Sequence, residues 1–499
     1  LPVLIQGGMG VGVSDWRLAR AVARLGHLGV VSGTALDTVL VRRLQDGDPG
    51  GDVRRAMTHF PVPGVADAVL RRWFRPGGRT EGEPYRLVSM YRQTVGTARQ
   101  QLTMLAAFVE VWLAREGHDG EVGINLLTKV QLPTLPSLYG AMLAGVDWVL
   151  MGAGIPREIP GALDALAAHR PASLRLDVED AVAGEAAELV TFDPAAHAAG
   201  PALDAPLARP RFLAIVAATS LAQTLARKAT GRVDGFVVEG PTAGGHNAPP
   251  RGALQLDAEG QPVYGARDVV DLDRLAELGL PFWLAGGTGS PEAVRDARAR
   301  GAAGVQVGTL FAYCDESGIA PALRRAVLAE VAAGTARVRT DPRASPTGFP
   351  FKLVQGARLP VQGDDRARVC DLGYLRAAYR RPDGRLGYRC PAEPVADYVA
   401  KGGRAEETVG RRCLCNGLAA DVGIAQWRPT AVGPVAEPPL LTAGDDLLAM
   451  GGFLAGRSSY SAADVVRWLL TGAAEGGVVQ DAAPPGHAIA TSPALAAMG

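Results

Sequence analysis

Two glycine-rich stretches flank one short predicted helix, and together they constrain the fold more than any other feature of the chain. Each follows a compact apolar run: the first is 286–289 (Gly-Gly-Thr-Gly) and the second is 308–309 (Gly-Thr). Between them Ser290 can cap a helix, Pro291 suits its first turn, and Gly301 can end it in the left-handed conformation. The order strand, loop, helix, strand, loop predicts a βαβ unit.

The same unit predicts a phosphate site. The two loops emerge side by side at the carboxyl ends of parallel strands, where backbone amides can face one ligand. Glycine lets a phosphate approach those amides, whereas a side chain would hold it away. In an eight-stranded α/β barrel such a site lies after strands 7 and 8. We therefore expect the loops to bind phosphate, with two ordinary turns as the alternative.

Short apolar runs alternate with helical patterns over the first 345 or so residues, which predicts a parallel sheet. Eight of these runs have strand character, the number that a closed (β/α)8 TIM barrel needs. A further run at 173–178 is predicted to be a strand of an insertion. The eight predicted strands are 3–6, 28–32, 122–126, 147–151, 212–217, 235–239, 281–285 and 304–307.

The composition changes along the chain and predicts three parts. Residues 1–345 are expected to form the barrel, interrupted by a long insertion at 50–121 that would form a lid or a homodimer surface at the barrel rim. Cysteine, arginine, proline and glycine increase after this point, so 346–430 is predicted to be a compact cysteine-containing module. Residues 431–499 are expected to contain a helix at 462–470 and a tail.

Two other helices are expected. One lies in 14–26, where Ser14 would cap the start and Gly26 would follow the end. The other covers 88–115 of the insertion.

Charge and cysteine content exclude several partners. The 51 basic and 51 acidic side chains balance, so no net field would attract nucleic acid or an anionic membrane. No apolar run approaches the length of about 20 residues that a membrane span needs. The chain begins with the strand-like 1–5 rather than a basic leader, and its five cysteines are an odd number. We therefore expect a cytoplasmic protein in a reducing compartment.

Polar or glycine-rich groups follow three other predicted strands. The loop 6–10 (Gln-Gly-Gly-Met-Gly) lacks the Lys-Ser/Thr of a P-loop. Its glycines and Met9 would let a flat ring approach the backbone. The alternative is a tight turn with Met9 packed in the core. His246 follows two glycines and can act as a base or, as imidazolium, hold an anion; a loop histidine bonded to backbone is the alternative. The Asn125 amide can pair with a donor and an acceptor on a heterocycle edge.

Taken together, these motifs resemble the nitronate monooxygenase (2-nitropropane dioxygenase) family of FMN-dependent TIM barrels, which also includes FMN-type enoyl-acyl-carrier-protein reductases. The matching motifs, in the family's order, are 6–10, 123–125, 243–246, 285–287 and 307–309. The resemblance implies a non-covalent FMN, with His246 facing the substrate. The implied cofactor-binding residues are Gly8, Met9, Gly10, Asn125, Glu239, Gly244, Gly245, Gly286, Gly287, Thr288, Gly308 and Thr309.

The resemblance implies two activities on small-molecule substrates. In nitronate relatives, an alkyl nitronate is oxidised with O2 to a carbonyl compound and nitrite. In reductase relatives, NAD(P)H reduces an enoyl thioester, and an acyl carrier protein is then the partner. The insertion and the long C-terminal region depart from simple family members and resemble the trans-acting enoyl reductases of polyunsaturated fatty acid and polyketide synthases. A flavin or iron–sulfur electron-transfer or scaffold subunit is the third alternative.

Four of the five cysteines fall within 46 residues: Cys370, Cys390, Cys413 and Cys415. Four thiolates can enclose Zn²⁺ or carry an iron–sulfur cluster, although this spacing is not that of a standard zinc ribbon. Four separate buried thiols are the alternative. The fifth, Cys314, is expected to be a packing residue.

Overall fold

The alternating pattern closes into a barrel of eight parallel strands, a (β/α)8 TIM barrel, as predicted. The computed structural model describes residues 1–181, 186–197, 205–360 and 366–473. All eight predicted barrel runs are strands of this barrel. The strands are β1 (Leu4–Gln6), β2 (Leu28–Ser32), β3 (Val122–Leu127), β4 (Trp148–Gly152), β5 (Ala172–Arg175), β6 (Val178–Glu179), β7 (Leu189–Phe192), β8 (Arg211–Val216), β9 (Gly235–Glu239), β10 (Phe282–Ala285), β11 (Gly304–Val307), β12 (Arg337–Asp341), β13 (Phe351–Gln355), β14 (Ala377–Arg380), β15 (Leu386–Arg389), β16 (Trp427–Thr430) and β17 (Gly433–Ala436).

Around the barrel the strand order is β1, β2, β3, β4, β8, β9, β10, β11 and back to β1. Gln6 lies opposite Val307 of β11 on one side and Gly29 of β2 on the other. The loops after β1, β3, β9, β10 and β11 therefore emerge at one end of the barrel. The run predicted as an inserted strand forms β5, which pairs antiparallel with β7 outside the barrel.

Large apolar side chains fill the barrel interior. Trp148 and Trp283 meet edge to face with ring centroids 6.1 Å apart, and both are fully buried. The indole N–H of Trp283 donates to the carbonyl of Pro2 at 2.8 Å. The interior is thus a packed core, and ligand space is confined to the loops at one end.

Helices surround the barrel and extend beyond it. The 19-residue α5, the last helix of the predicted insertion, packs against α1, α2 and α6 as part of the outer layer. The helices are α1 (Trp16–Arg24), α2 (Leu36–Gln45), α3 (Asp52–Met57), α4 (Val65–Trp73), α5 (Thr97–Arg115), α6 (Thr134–Leu143), α7 (Ile159–Ala167), α8 (Thr219–Lys228), α9 (Leu272–Ala276), α10 (Pro291–Ala299), α11 (Thr309–Ala312), α12 (Pro321–Ala332), α13 (Val395–Ala400), α14 (Leu414–Asp421), α15 (Asp446–Leu454) and α16 (Ala462–Thr471).

The structure confirms some of the predicted helix caps and ends and contradicts others. Ser290 caps α10 by accepting from the amide of Ala293, and Gly301 adopts φ +84° after its end, as predicted. The cap of α1 was misassigned: Asp15 accepts the first amides, because the buried hydroxyl of Ser14 donates instead to the carbonyl of Gly7. The helix predicted over 88–115 begins only at residue 97.

The part of the insertion that precedes α5 contacts the C-terminal half of the chain. The amide of Tyr85 donates to the side chain of Gln426 at 3.0 Å, and the amide of Gln93 donates to the Tyr388 hydroxyl at 2.6 Å. The antiparallel β12–β13 hairpin spans residue 345, where the sequence suggested a boundary. The lid and dimer roles of 50–121 stay predictions.

The C-terminal helix predicted at 462–470 is α16, which ends at residue 471. The predicted tail from residue 474 lies outside the described residues. Among those that are described, no helix is long and apolar enough to cross a membrane.

Candidate active site at the barrel mouth

The loops at the carboxyl ends of the barrel strands enclose one cavity together with the C-terminal segment. Of the predicted catalytic and cofactor-binding residues, Gly287 and Thr288 do not line it: Gly287 is exposed, and the Thr288 hydroxyl donates to the backbone of Gln306 at 2.8 Å. The residues of this predicted set that line the cavity are Gly8, Met9, Gly10, Asn125, Glu239, Gly244, Gly245, His246, Gly286, Gly308 and Thr309.

One wall is shaped for a flat polar ring. The Asn125 amide nitrogen donates to the carbonyl of Gly8 at 2.9 Å, and a Cβ on Gly8 would lie 2.4 Å from the Asn125 Cβ. Asn125 Oδ1 and Gln306 Oε1 are buried acceptors that have no hydrogen-bond partner among the described residues. Because an unpaired buried acceptor is costly, both atoms fit the N–H groups of a bound heterocycle.

The glycine-rich loops pack closely against neighbouring loops of the barrel mouth. Gly286 adopts φ +84°, and a Cβ there would lie 2.8 Å from the amide nitrogen of Ala243. A Cβ on Gly308 would lie 3.3 Å from the sulfur of Met9. Gly286 precedes α10 and Gly308 precedes α11, so the backbone amides of both loops suit a bound phosphate.

His246 is held by a hydrogen bond from another part of the chain. Its Nε2 and the hydroxyl of Ser345 are 2.7 Å apart, and the Ser345 hydroxyl also contacts the Thr347 hydroxyl at 2.8 Å. The ring packs edge to face on Phe351, with centroids 4.9 Å apart. Burial lowers the pKa of His246 to about 4, so the imidazole is neutral near pH 7. The imidazolium that would hold an anion is therefore disfavoured.

Three carboxyl groups line the same cavity, and no lysine or arginine does among the described residues. Burial raises the pKa of Glu239 to about 7. Burial likewise raises the pKa of Asp421 and that of Asp446. These groups resist ionisation because the site is desolvated and lacks a compensating cation.

The four clustered cysteines are free thiols. Cys415 lines the cavity, and its thiol hydrogen-bonds with that of Cys413, which together with burial raises the Cys413 pKa. Burial raises the pKa of Cys370 to about 12 and that of Cys390 still further. In the described ranges, no three His, Cys, Asp or Glu side chains are grouped to hold a metal ion. The zinc or iron–sulfur prediction therefore gains no support. Cys314 is buried in the core.

Sequence reasoning missed three residues of this site. Gln306 had a signal, since it is the one polar residue in the apolar run of β11. Ser345, which hydrogen-bonds His246, and Asp446, which lines the cavity, had none, because both lie in segments with no local pattern.

Comparison with known proteins finds a family model and a curated relative that are similar to part of the barrel. The family model described as nitronate monooxygenase matches residues 179–343. A curated nitronate monooxygenase from Pseudomonas aeruginosa is 35% identical over 147 residues, which is 29% of this chain. The chain spans 40% of the length of that relative.

Three solved structures found by the comparison share little sequence with this chain. FabK from Thermotoga maritima is 17% identical, with a TM-score of 0.38 and coverage of 72% of each chain. A nitroalkane oxidase from Streptomyces ansochromogenes is 15% identical, with a TM-score of 0.43 and coverage of 94% of each chain. The enoyl reductase domain of MlnA from Bacillus amyloliquefaciens is 10% identical, with a TM-score of 0.37. The match covers 70% of this chain and 63% of the MlnA chain.

The matched segment contains the His246 loop and both glycine-rich loops, the features that line one side of the cavity. Residues 179–343, which contain these loops, therefore resemble the nitronate monooxygenase family.

Proposed function

We propose that the chain is an FMN-dependent oxidoreductase that oxidises alkyl nitronates with O2 to a carbonyl compound and nitrite. The observation that supports this proposal is the composition of the cavity. Two unpaired buried acceptors, two glycine-rich loops and a neutral histidine lie together there, and the histidine and both loops belong to the segment that matches the family model. Asn125 and Gln306 would hold the edge of the FMN ring, and the loops at Gly286 and Gly308 would hold its phosphate. FMN, when bound, would supply the electron-accepting ring.

The residues of the chain would orient the substrate and handle its proton. With Nε2 of His246 bonded to Ser345, Nδ1 has no partner among the described residues and is free to hydrogen-bond a nitronate oxygen. Glu239 lies at the end of β9 with a pKa of about 7, which suits a group that accepts or returns a proton near neutral pH. Apolar side chains such as Phe351 and Leu418 help to exclude water.

One observation favours a second candidate, the reduction of an enoyl thioester with NAD(P)H. The cavity presents carboxyl groups and no described cation, an environment that suits a neutral substrate better than an anion. An acyl carrier protein would then deliver the thioester.

Turnover by the FMN-loaded protein separates the two. Nitrite release from propane-2-nitronate in air, lost in His246→Asn, is expected for nitronate oxidation. NAD(P)H consumption that depends on a crotonyl thioester, without nitrite release from the nitronate, would replace this function with the second. Activity with neither substrate would contradict both.

A further inference from the structure

A strap of residues 441–446 crosses the mouth of the barrel above the predicted phosphate site. The amide of Gly245 donates to the Thr442 hydroxyl at 2.9 Å, and the amide of Gly444 donates to the Thr309 hydroxyl at 2.8 Å. The Asp445 carboxylate pairs with the buried Lys352 at 2.7 Å. Because these bonds reach the loops after β9 and β11, the strap is fixed relative to the phosphate loops.

The strap ends by placing an acid against the first phosphate loop. Asp446 begins α15, and its carboxyl group accepts from the backbone amides of Gly289 and Thr288. A Cβ on Gly289 would lie 2.9 Å from the carboxyl carbon of Asp446 and 3.1 Å from its Oδ2. The cavity is therefore bordered, at its anion-binding end, by an acid supplied by the chain itself.

This contact has a consequence for ligand choice. Amides at the start of a helix favour an anion, and here two of them already face a carboxyl group. A phosphate on the neighbouring amides would compete with the Asp446 carboxyl group for these donors, and its charge would be repelled whenever that carboxyl group is ionised. An unphosphorylated ligand would not meet this repulsion.

We propose that Asp446 determines phosphate specificity at this site: its carboxyl group occupies part of the anion-binding loop and weakens the binding of phosphorylated ligands relative to their unphosphorylated forms. The part of this inference that concerns FMN rests on the proposed function. The part that concerns phosphate rests on the loop alone.

Equilibrium binding of FMN and riboflavin to the flavin-free full chain, followed by flavin fluorescence, tests the proposal. In Asp446→Asn the Kd for FMN should fall about tenfold, while the Kd for riboflavin should change by less than about twofold. Asp445→Asn is the matched control, because it removes a neighbouring charge that Lys352 already neutralises; it should alter the FMN-to-riboflavin ratio by less than about threefold. An unchanged ratio in Asp446→Asn, or weaker FMN binding, would overturn the proposal.

A second measurement separates this proposal from the function on which it partly rests. Inorganic phosphate should raise the Tm of Asp446→Asn more than that of the wild type, since a ligand that binds the folded state more tightly stabilises it more at the same concentration. If neither flavin binds the wild type, the FMN assignment fails, while a larger phosphate effect in the variant still supports the role of Asp446. Equal phosphate effects in the two proteins would overturn it.

Discussion

The Nε2 atom of His246 lies 2.7 Å from the hydroxyl oxygen of Ser345, a residue 99 positions later in the chain. This bond fixes the ring of the histidine that follows the glycine pair and leaves one ring nitrogen for a ligand. Burial lowers the pKa of His246 to about 4, so the imidazole is neutral near pH 7. In the proposed reaction, His246 would therefore act by hydrogen bonding rather than through a positive charge.

Ser345→Ala should lower kcat about tenfold by freeing the His246 ring, while FMN affinity stays unchanged. Thr347→Val is the control, because Thr347 contacts Ser345 but has no bond to His246. Steady-state kinetics and flavin titration on the same preparations give both quantities. A Ser345→Ala variant with normal kcat would show that the hydrogen bond does not position the ring.

Glu239→Gln should change how stability depends on pH. The folded-state pKa of Glu239, about 7, lies above the ordinary value of 4.5. Between these two pH values the folded state binds more protons than the unfolded state, so the wild type loses stability as pH rises through this window. Relative to the wild type, Glu239→Gln should therefore gain up to about 3 kcal/mol between about pH 4 and pH 8. Urea unfolding of the flavin-free protein at both pH values measures this gain, and a difference that does not vary with pH would refute the assignment.

Gly8→Ala should abolish retention of FMN. The added Cβ would lie 2.4 Å from the Asn125 Cβ, so the wall that is shaped for the ring must move. Gly96→Ala is the control, since its Cβ would have nothing within 4 Å and its φ is –68°. The flavin-to-protein ratio after desalting reports the effect; equal ratios in the two variants would place the ring elsewhere.

Gln306→Met should weaken FMN binding without lowering the stability of the flavin-free protein. Removing a buried acceptor that lacks a partner should leave the flavin-free protein as stable or more stable by about 1 kcal/mol, while FMN affinity falls about tenfold. Gln6→Met should behave differently, because Gln6 is bonded to Ser14 at 2.9 Å and to the amide of Val30 at 3.0 Å, and its loss should destabilise the fold. Unfolding curves and flavin titration test both variants. A Gln306→Met protein that keeps full affinity would show that this oxygen does not meet the ring.

Much of the barrel could be predicted because its signals are local. Ser290, Pro291 and Gly301 define α10 within a dozen residues, and each barrel strand is a short apolar run followed by a loop. The motif order then brings the loop residues to one end without any long-range information. Where two local signals compete, as for the adjacent Ser14 and Asp15, the tertiary bond of Ser14 to Gly7 decides the cap.

The rest of the site depends on distant segments that carry no periodic pattern. Ser345 lies in the loop between β12 and β13, and Asp446 lies at the end of a strap, so neither spacing nor composition indicates that the first contacts His246 or that the second lines the cavity. The cysteine pattern suggested a metal, but side-chain placement rather than spacing determines whether thiols converge.

The most direct test of the FMN assignment is the visible spectrum of the full chain after incubation with FMN and desalting, recorded in air and then under anaerobic dithionite. If the chain binds FMN, two flavin bands will persist through desalting and bleach on reduction. A colourless protein that retains no FMN would contradict it.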